Sequence, residues 1–220
     1  MKIQQVISFK ALFEMPAFIP RELSTSDSDE GDDNEFKVDV LSVDTLDRDW
    51  TLLADRTEGN THIIAALHNN KHGAIVGYRI KRDDGVDAIK VVVNMSFHDA
   101  TSEELGEAGG NALQVYTVRT TEDENKGAGY GYFLYKALLD KGYTVVSDNV
   151  QYIGGKAIWM KIVKRSARDL HCVYILQRGK YMRDSSGKPI VYDGSNIPDD
   201  VIWGKPNSED HFYTLLVARK

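Results

Sequence analysis

The chain carries one cysteine, Cys172, in 220 residues. That excludes an intramolecular disulfide framework and a cysteine-built zinc site, and it suits a reducing compartment. Positive charge is also scarce. Lys and Arg number 27 against 33 Asp and Glu, a formal net charge of -6. With no dense basic cluster to override that balance, nucleic acid is not an expected partner. Long apolar runs are missing as well. The stretch between Lys2 and Lys10 is broken by Gln4, Gln5 and Ser8, so it is not a signal-peptide core. No run approaches the roughly 20 apolar residues of a membrane span. A cytoplasmic protein without a membrane partner is expected. Finally, His62, His68, His72, His171 and His211 have no ligand-like spacing with acids, so no metal is expected.

What is present is ordinary for a globular chain: 42% hydrophobic and 27% charged residues, enough for one sizeable core. Residues 1–35 read as an N-terminal arm ending in an acidic flexible loop. The stretch 24–35, rich in Ser, Asp and Glu, has no apolar period. Residues 36–220 read as one domain. Phe36 to Leu41 alternates like a half-buried strand, and 42–56 suggests a short helix through Leu46, Trp50, Leu53 and Ala54. Apolar runs at 62–67, 74–80 and 88–95 are separated by turn-rich connections, which predicts an antiparallel meander. A loop over 97–111 leads to a strand at 112–118.

Next comes Lys126-Gly127-Ala128-Gly129-Tyr130-Gly131. Behind it, Tyr130, Phe133, Leu134, Ala137 and Leu138 recur at helical spacing, and Lys141-Gly142 supplies a stop signal. A strand that opens through glycines onto a helix N-terminus leaves backbone N–H groups able to hold a phosphate or pyrophosphate. Taken alone, the glycines fit a tight strand-to-helix turn equally well. A short strand at 144–147 completes a βαβ unit. A second helix opens at Gly154-Gly155 with Ile158, Trp159 and Ile162 inward, and Lys161, Lys164, Arg165 and Arg168 suit its C-terminal half. Two closing strands, 171–176 and 212–218, flank a long connection over 179–210. The last strand can pair in a homodimer or within the chain.

This order of elements, with the glycine motif, resembles the GNAT superfamily of acyl-CoA-dependent N-acyltransferases, whose signature is Gln/Arg-x-x-Gly-x-Gly/Ala. The resemblance spans about 36–220. Val145-Val146-Ser147-Asp148-Asn149-Val150-Gln151, followed by Gly154-Gly155 and Ile158-Trp159, looks like a variant common in phage genomes. It implies an α+β fold, a central mixed sheet flanked by helices. It also implies acetyl-CoA as cosubstrate and direct acetyl transfer to an amine on a small molecule or protein. Pyrophosphate would lie on the amides of Gly127, Ala128, Gly129, Tyr130 and Gly131, with Lys126 adding charge and pantetheine running beside Tyr116, Thr117 and Val118. A P-loop would need Gly-Lys-Ser/Thr after its glycines, and a Rossmann fingerprint would need glycine where Tyr132 stands.

Two departures bear on chemistry. The stretch from Val118 to Lys126 is longer than usual and contains Glu122, Asp123 and Glu124. Trp159 also occupies the register where many relatives carry a tyrosine that protonates the departing thiolate. Trp cannot do that, and Tyr152 is the nearest substitute. Tyr116, Asp99, Glu107, Glu103 and His98 are candidates for the base. Cys172 falls in a strand with no activating neighbour, which favours direct transfer over a covalent intermediate. The alternative reading is a protein of this shape that no longer catalyses and serves an interaction or structural role. The 179–210 connection is expected over the acceptor site, anchored by Tyr181, Tyr192 and Trp203.

Overall fold

Strands apolar at every position, rather than at every second one, set this architecture. Ile63-Ile64-Ala65-Ala66-Leu67 is almost wholly buried, so the sheet it belongs to must be covered on both faces. A computed structural model describes residues 18–19, 38–98, 105–121, 127–148, 151–203 and 214–220, with the side chains of 18–19 and 151–153 left aside. The acidic stretch 24–35, Lys126, Asp99, Glu103 and His211 lie outside the described residues, as does the Tyr152 side chain.

In chain order the strands are β1 (Phe18–Ile19), β2 (Val40–Ser42), β3 (Trp50–Glu58), β4 (Thr61–His68), β5 (Gly73–Lys81), β6 (Asp87–Phe97), β7 (Ala112–Thr120), β8 (Thr144–Val146), β9 (Gln151–Tyr152), β10 (Cys172–Gln177), β11 (Lys180–Tyr181) and β12 (Thr214–Arg219). The helices are α1 (Val43–Asp49), α2 (Tyr130–Asp140), α3 (Ile153–Asp169) and α4 (Asp199–Trp203). Ten strands form one sheet in the order β11-β10-β12-β8-β7-β6-β5-β4-β3, with β2 added on β6. Its pairings are antiparallel except β7 with β8. Strand β1 pairs separately with β9.

The expected GNAT-like α+β fold is corrected by this arrangement. Among the described residues strand accounts for 44% and helix for 27%, in a mostly antiparallel ten-stranded sheet, which is a largely β fold rather than a GNAT α/β sandwich. One physical reason lies at Trp50 to Glu58. Trp50 and Leu53 would share a face of a helix, but here they are strand residues packed into opposite layers of the sheet. The helix over 42–56 therefore stops at Asp49, and β3 pairs with β4 instead. The last strand is no edge either: β12 lies between β10 and β8.

Both faces are covered, as the continuous apolar runs demand. On one face α2 and α3 pack over Ile63, Ala65, Val76, Met95, Leu113, Val145 and Ile175. On the other, Ile64, Ala66, Ile75, Ile89 and Val91 join Leu41 and Trp50, with Leu46 of α1 against them. The alternation between the two layers follows the two-residue period of a strand. Among the described residues, no helix is long and apolar enough to cross a membrane.

Candidate functional site

The one parallel pair of the large sheet holds for only three residues: Ala112 with Thr144, Leu113 with Val145 and Gln114 with Val146. Beyond Gln114, β7 continues along β6 to Thr120, while β8 ends at Val146. The two strands part there at their carboxyl ends, where open α/β sheets bind ligands. Tyr116, Thr117 and Val118 lie on the part of β7 beyond this point, and all three are half-buried.

Helix α2 follows β7 in the chain. Gly127 and Gly129 have φ of 85° and 84°, the left-handed region in which a side chain costs about 1–2 kcal/mol. Gly129 is the N-cap; it supplies no side chain to bond the first amides, and the first turn contains no acid. The first helical bond across the start runs from Phe133 N–H to the Gly129 carbonyl, at 3.0 Å. The N–H groups of Tyr130, Gly131 and Tyr132 precede it, so they belong to the set that a helix cannot satisfy internally. The positive end of the helix dipole adds to them.

Cations gather at the same end. A Cβ on Gly129 would lie 3.5 Å from Lys161 Nζ. Lys161 Nζ is 5.1 Å and Arg165 Cζ 4.9 Å from the centre of the Tyr132 ring. On the other side Arg56 stands 4.3 Å from the Phe133 ring and 5.9 Å from that of Tyr130, while pairing with Glu58 at 2.9 Å. Lys161 and Arg165 were expected to serve the end of their own helix. Instead α3 crosses α2 closely at Gly131, where a Cβ would come 3.1 Å from Ile158 Cδ1, and this brings both cations to the α2 start. Their i,i+4 spacing was the available signal.

Behind this end, the Tyr132 hydroxyl donates to Asp169. Burial first, then that bond, pushes the phenol up to about 12. Asp169 is held down at about 2, mainly by the Arg168 guanidinium at 2.9 Å, and its side chain is 6% exposed.

At the parting itself a second cluster forms across three adjacent strands. His98, just past β6, donates its backbone N–H to the Gln114 carbonyl at 2.8 Å. Its Nε2 lies 3.4 Å from Asp148 Oδ1, two residues past β8, and its ring stands edge-on to Tyr116 at 4.8 Å. The side chains of His98 and Asp148 are 21% and 17% exposed. Tyr116 sits where the β6/β7 register shifts between Ser96 and Phe97. Tyr135 of α2 faces the same carboxylate; burial chiefly, and Asp148 in addition, drive its phenol up and keep it protonated.

The other sequence candidates separate from this place. Glu107 accepts from Arg183 at 2.8 Å and from the Tyr181 backbone at 2.9 Å, which lowers its pKa and ties it to β11 and the residues just after it. Trp159 is buried in the core edge-on to Tyr135. His62 bonds Asp55, and His171 is buried against the Ile162 carbonyl. Of the expected anchors, Tyr192 and Trp203 pack into the α2–α3 layer, whereas Tyr181 lies with Tyr174 on the opposite face. Among the described residues no group of three or more His, Cys, Asp or Glu gathers as a metal site. No protein-family model, curated protein or solved structure matches the chain.

Proposed function

We propose that the chain is an acyl-CoA-dependent N-acetyltransferase that passes acetyl directly from acetyl-CoA to an amine. One observation carries this reading: the start of α2, which follows β7 in the chain, has a left-handed glycine N-cap with no capping side chain, and Lys161 and Arg165 lie beside it. Three neighbouring amides, the dipole and two cations suit a pyrophosphate. The glycines leave the approach open, since a Cβ on Gly127 would meet nothing within 4 Å. The stretch of β7 at Tyr116 to Val118, beyond its pairing with β8, is suited to an extended amide-bearing chain such as pantetheine. The Gly-x-Gly likeness to GNAT sequences supports the same ligand, while the fold class lends it nothing.

A second reading, binding without transfer, is favoured by Trp159. It is 1% exposed and has no acidic proton to give a departing thiolate. Calorimetry with acetyl-CoA and CoA, followed by a thiol-release assay with a panel of primary amines, separates the outcomes. Binding with thiol release supports transfer. Binding without release supports the second reading, and no binding at millimolar ligand removes both.

A further inference from the structure

We infer that His98 is the proton acceptor of the transfer step, using Nδ1, and that Asp148 is the residue that positions it. This rests on the acetyl-transfer reading above. Asp148 Oδ1 lies 3.4 Å from His98 Nε2, and an ionised carboxylate can only accept. Nε2 therefore carries the hydrogen, and the neutral ring keeps its lone pair on Nδ1. Among the described residues no hydrogen bond reaches that nitrogen. The Tyr116 ring, edge-on at 4.8 Å, restricts the other degree of freedom of the imidazole. A bond of this length is normal for a catalytic pair without its substrate and shortens when the site fills.

Position supports the role as strongly as chemistry does. His98 is level with Gln114, the last residue of β7 paired with β8, and Asp148 follows two residues after Val146, the partner of Gln114. The pair thus stands at the parting of the strands. Tyr135, whose phenol feels the Asp148 charge, is five residues along α2 from Tyr130, about 7.5 Å of helix rise from the uncapped amides. That separates an anion-holding end from a proton-handling end along one helix. Among the base candidates, Glu107 is engaged elsewhere, whereas His98 is oriented by a carboxylate and half-buried.

His98 Nδ1 takes one proton from the ammonium of the acceptor, and the amine nitrogen then forms the C–N bond as the thioester C–S bond breaks. A second proton leaves that nitrogen and ends on the departing sulfur, giving amide and free thiol. His98 returns its proton to water.

The test uses full-length wild type, His98→Ala, His98→Gln and Asp148→Asn. Acetyl-CoA binding by calorimetry is expected within twofold of wild type in all three variants. Transfer should fall at least about 100-fold in His98→Ala, and added imidazole should restore it at least tenfold. Asp148→Asn should lose about tenfold, with the acid limb of its pH–rate profile displaced. Nitrogen NMR of the free protein should show the Nε2–H tautomer of His98, replaced or mixed in Asp148→Asn. Wild-type turnover in His98→Ala, an Nδ1–H tautomer in wild type, or no imidazole rescue overturns the inference while leaving CoA binding intact. Absence of CoA binding in wild type overturns the functional reading and this inference together.

Discussion

Two helices of this protein begin in opposite ways. Helix α1 starts at Ser42, whose hydroxyl accepts from the Thr45 N–H at 3.1 Å, with Asp44 in the first turn. Helix α2 starts at a left-handed glycine with neither a capping side chain nor an acid. The first has one of its free amides, that of Thr45, met by the Ser42 hydroxyl, as suits a helix end with a packing role. The second has no capping side chain for its free amides among the described residues and adds Lys161 and Arg165 nearby. Such an end is electrostatically unfinished, and an anion completes it. The contrast separates a structural terminus from a receptive one inside a single chain, under the same solvent and charge.

The sharpest way to break the contrast is to give α2 the kind of start that α1 has. Gly129→Asp supplies a carboxylate cap and a partner for Lys161, and it repels phosphate. Acetyl-CoA affinity by calorimetry should fall at least 100-fold. Thermal stability should change little, because the cost of a left-handed Asp, of order 1 kcal/mol, is offset by the new cap and ion pair. Unchanged affinity would mean that the amides of α2 hold no anion.

Next in size is the brace behind the receptive end. Asp169 joins Arg168 to Tyr132, the third residue of α2, and its folded pKa of about 2 lies below the ordinary 3.8. A depressed carboxylate pKa gives stability that is present above the unfolded value and lost as pH falls through the folded one. Wild type should therefore lose at most about 2 kcal/mol between pH 4 and pH 2 from this group. Asp169→Asn should lack that share of the acid transition while unfolding more readily at pH 7. Acid titrations followed by circular dichroism, identical in slope for both proteins, would remove the brace from the account.

Charge reversal at the flank comes third. Lys161→Glu should weaken acetyl-CoA by roughly tenfold, about 1.4 kcal/mol, and Arg165→Glu by a similar factor. Both should flatten the salt dependence of binding, since screening acts on the charges removed. Equal salt slopes in wild type and variants would mean that the cations serve only the Tyr132 ring.

Some of this was legible in the sequence and some was not. The apolar runs of β4, β5 and β6 and the periodicity of Tyr130, Phe133, Leu134, Ala137 and Leu138 read correctly, because neighbouring residues decide them. Trp50 and Leu53 misread as helix, because three-residue spacing of two large apolar side chains also fits a strand buried on both faces. The balance of the sheet toward antiparallel pairing rests also on β3 and β11, which the sequence did not announce as strands. His98 was visible as a candidate, but Asp148 lies 50 residues away and only the adjacency of β6, β7 and β8 joins them. Lys161 and Arg165 were visible as charges on a helix. Which end of which helix they serve depends on the crossing at Gly131, a contact between elements that local pattern does not encode.

The smallest expected effect completes the comparison from the structural side. Ser42→Ala removes the oxygen that meets the Thr45 N–H and also contacts the Thr45 hydroxyl at 2.8 Å. Loss of an N-cap of this kind costs about 1 kcal/mol, and α1 has little other support because none of its residues is fully buried. Chemical denaturation should show that loss through a lower midpoint with an unchanged slope. Acetyl-CoA affinity should stay at the wild-type value, since α1 packs on the face of the sheet opposite α2 and α3. If Ser42→Ala weakens acetyl-CoA as much as Lys161→Glu does, the two helix starts are energetically coupled, and the division into a structural and a receptive end fails.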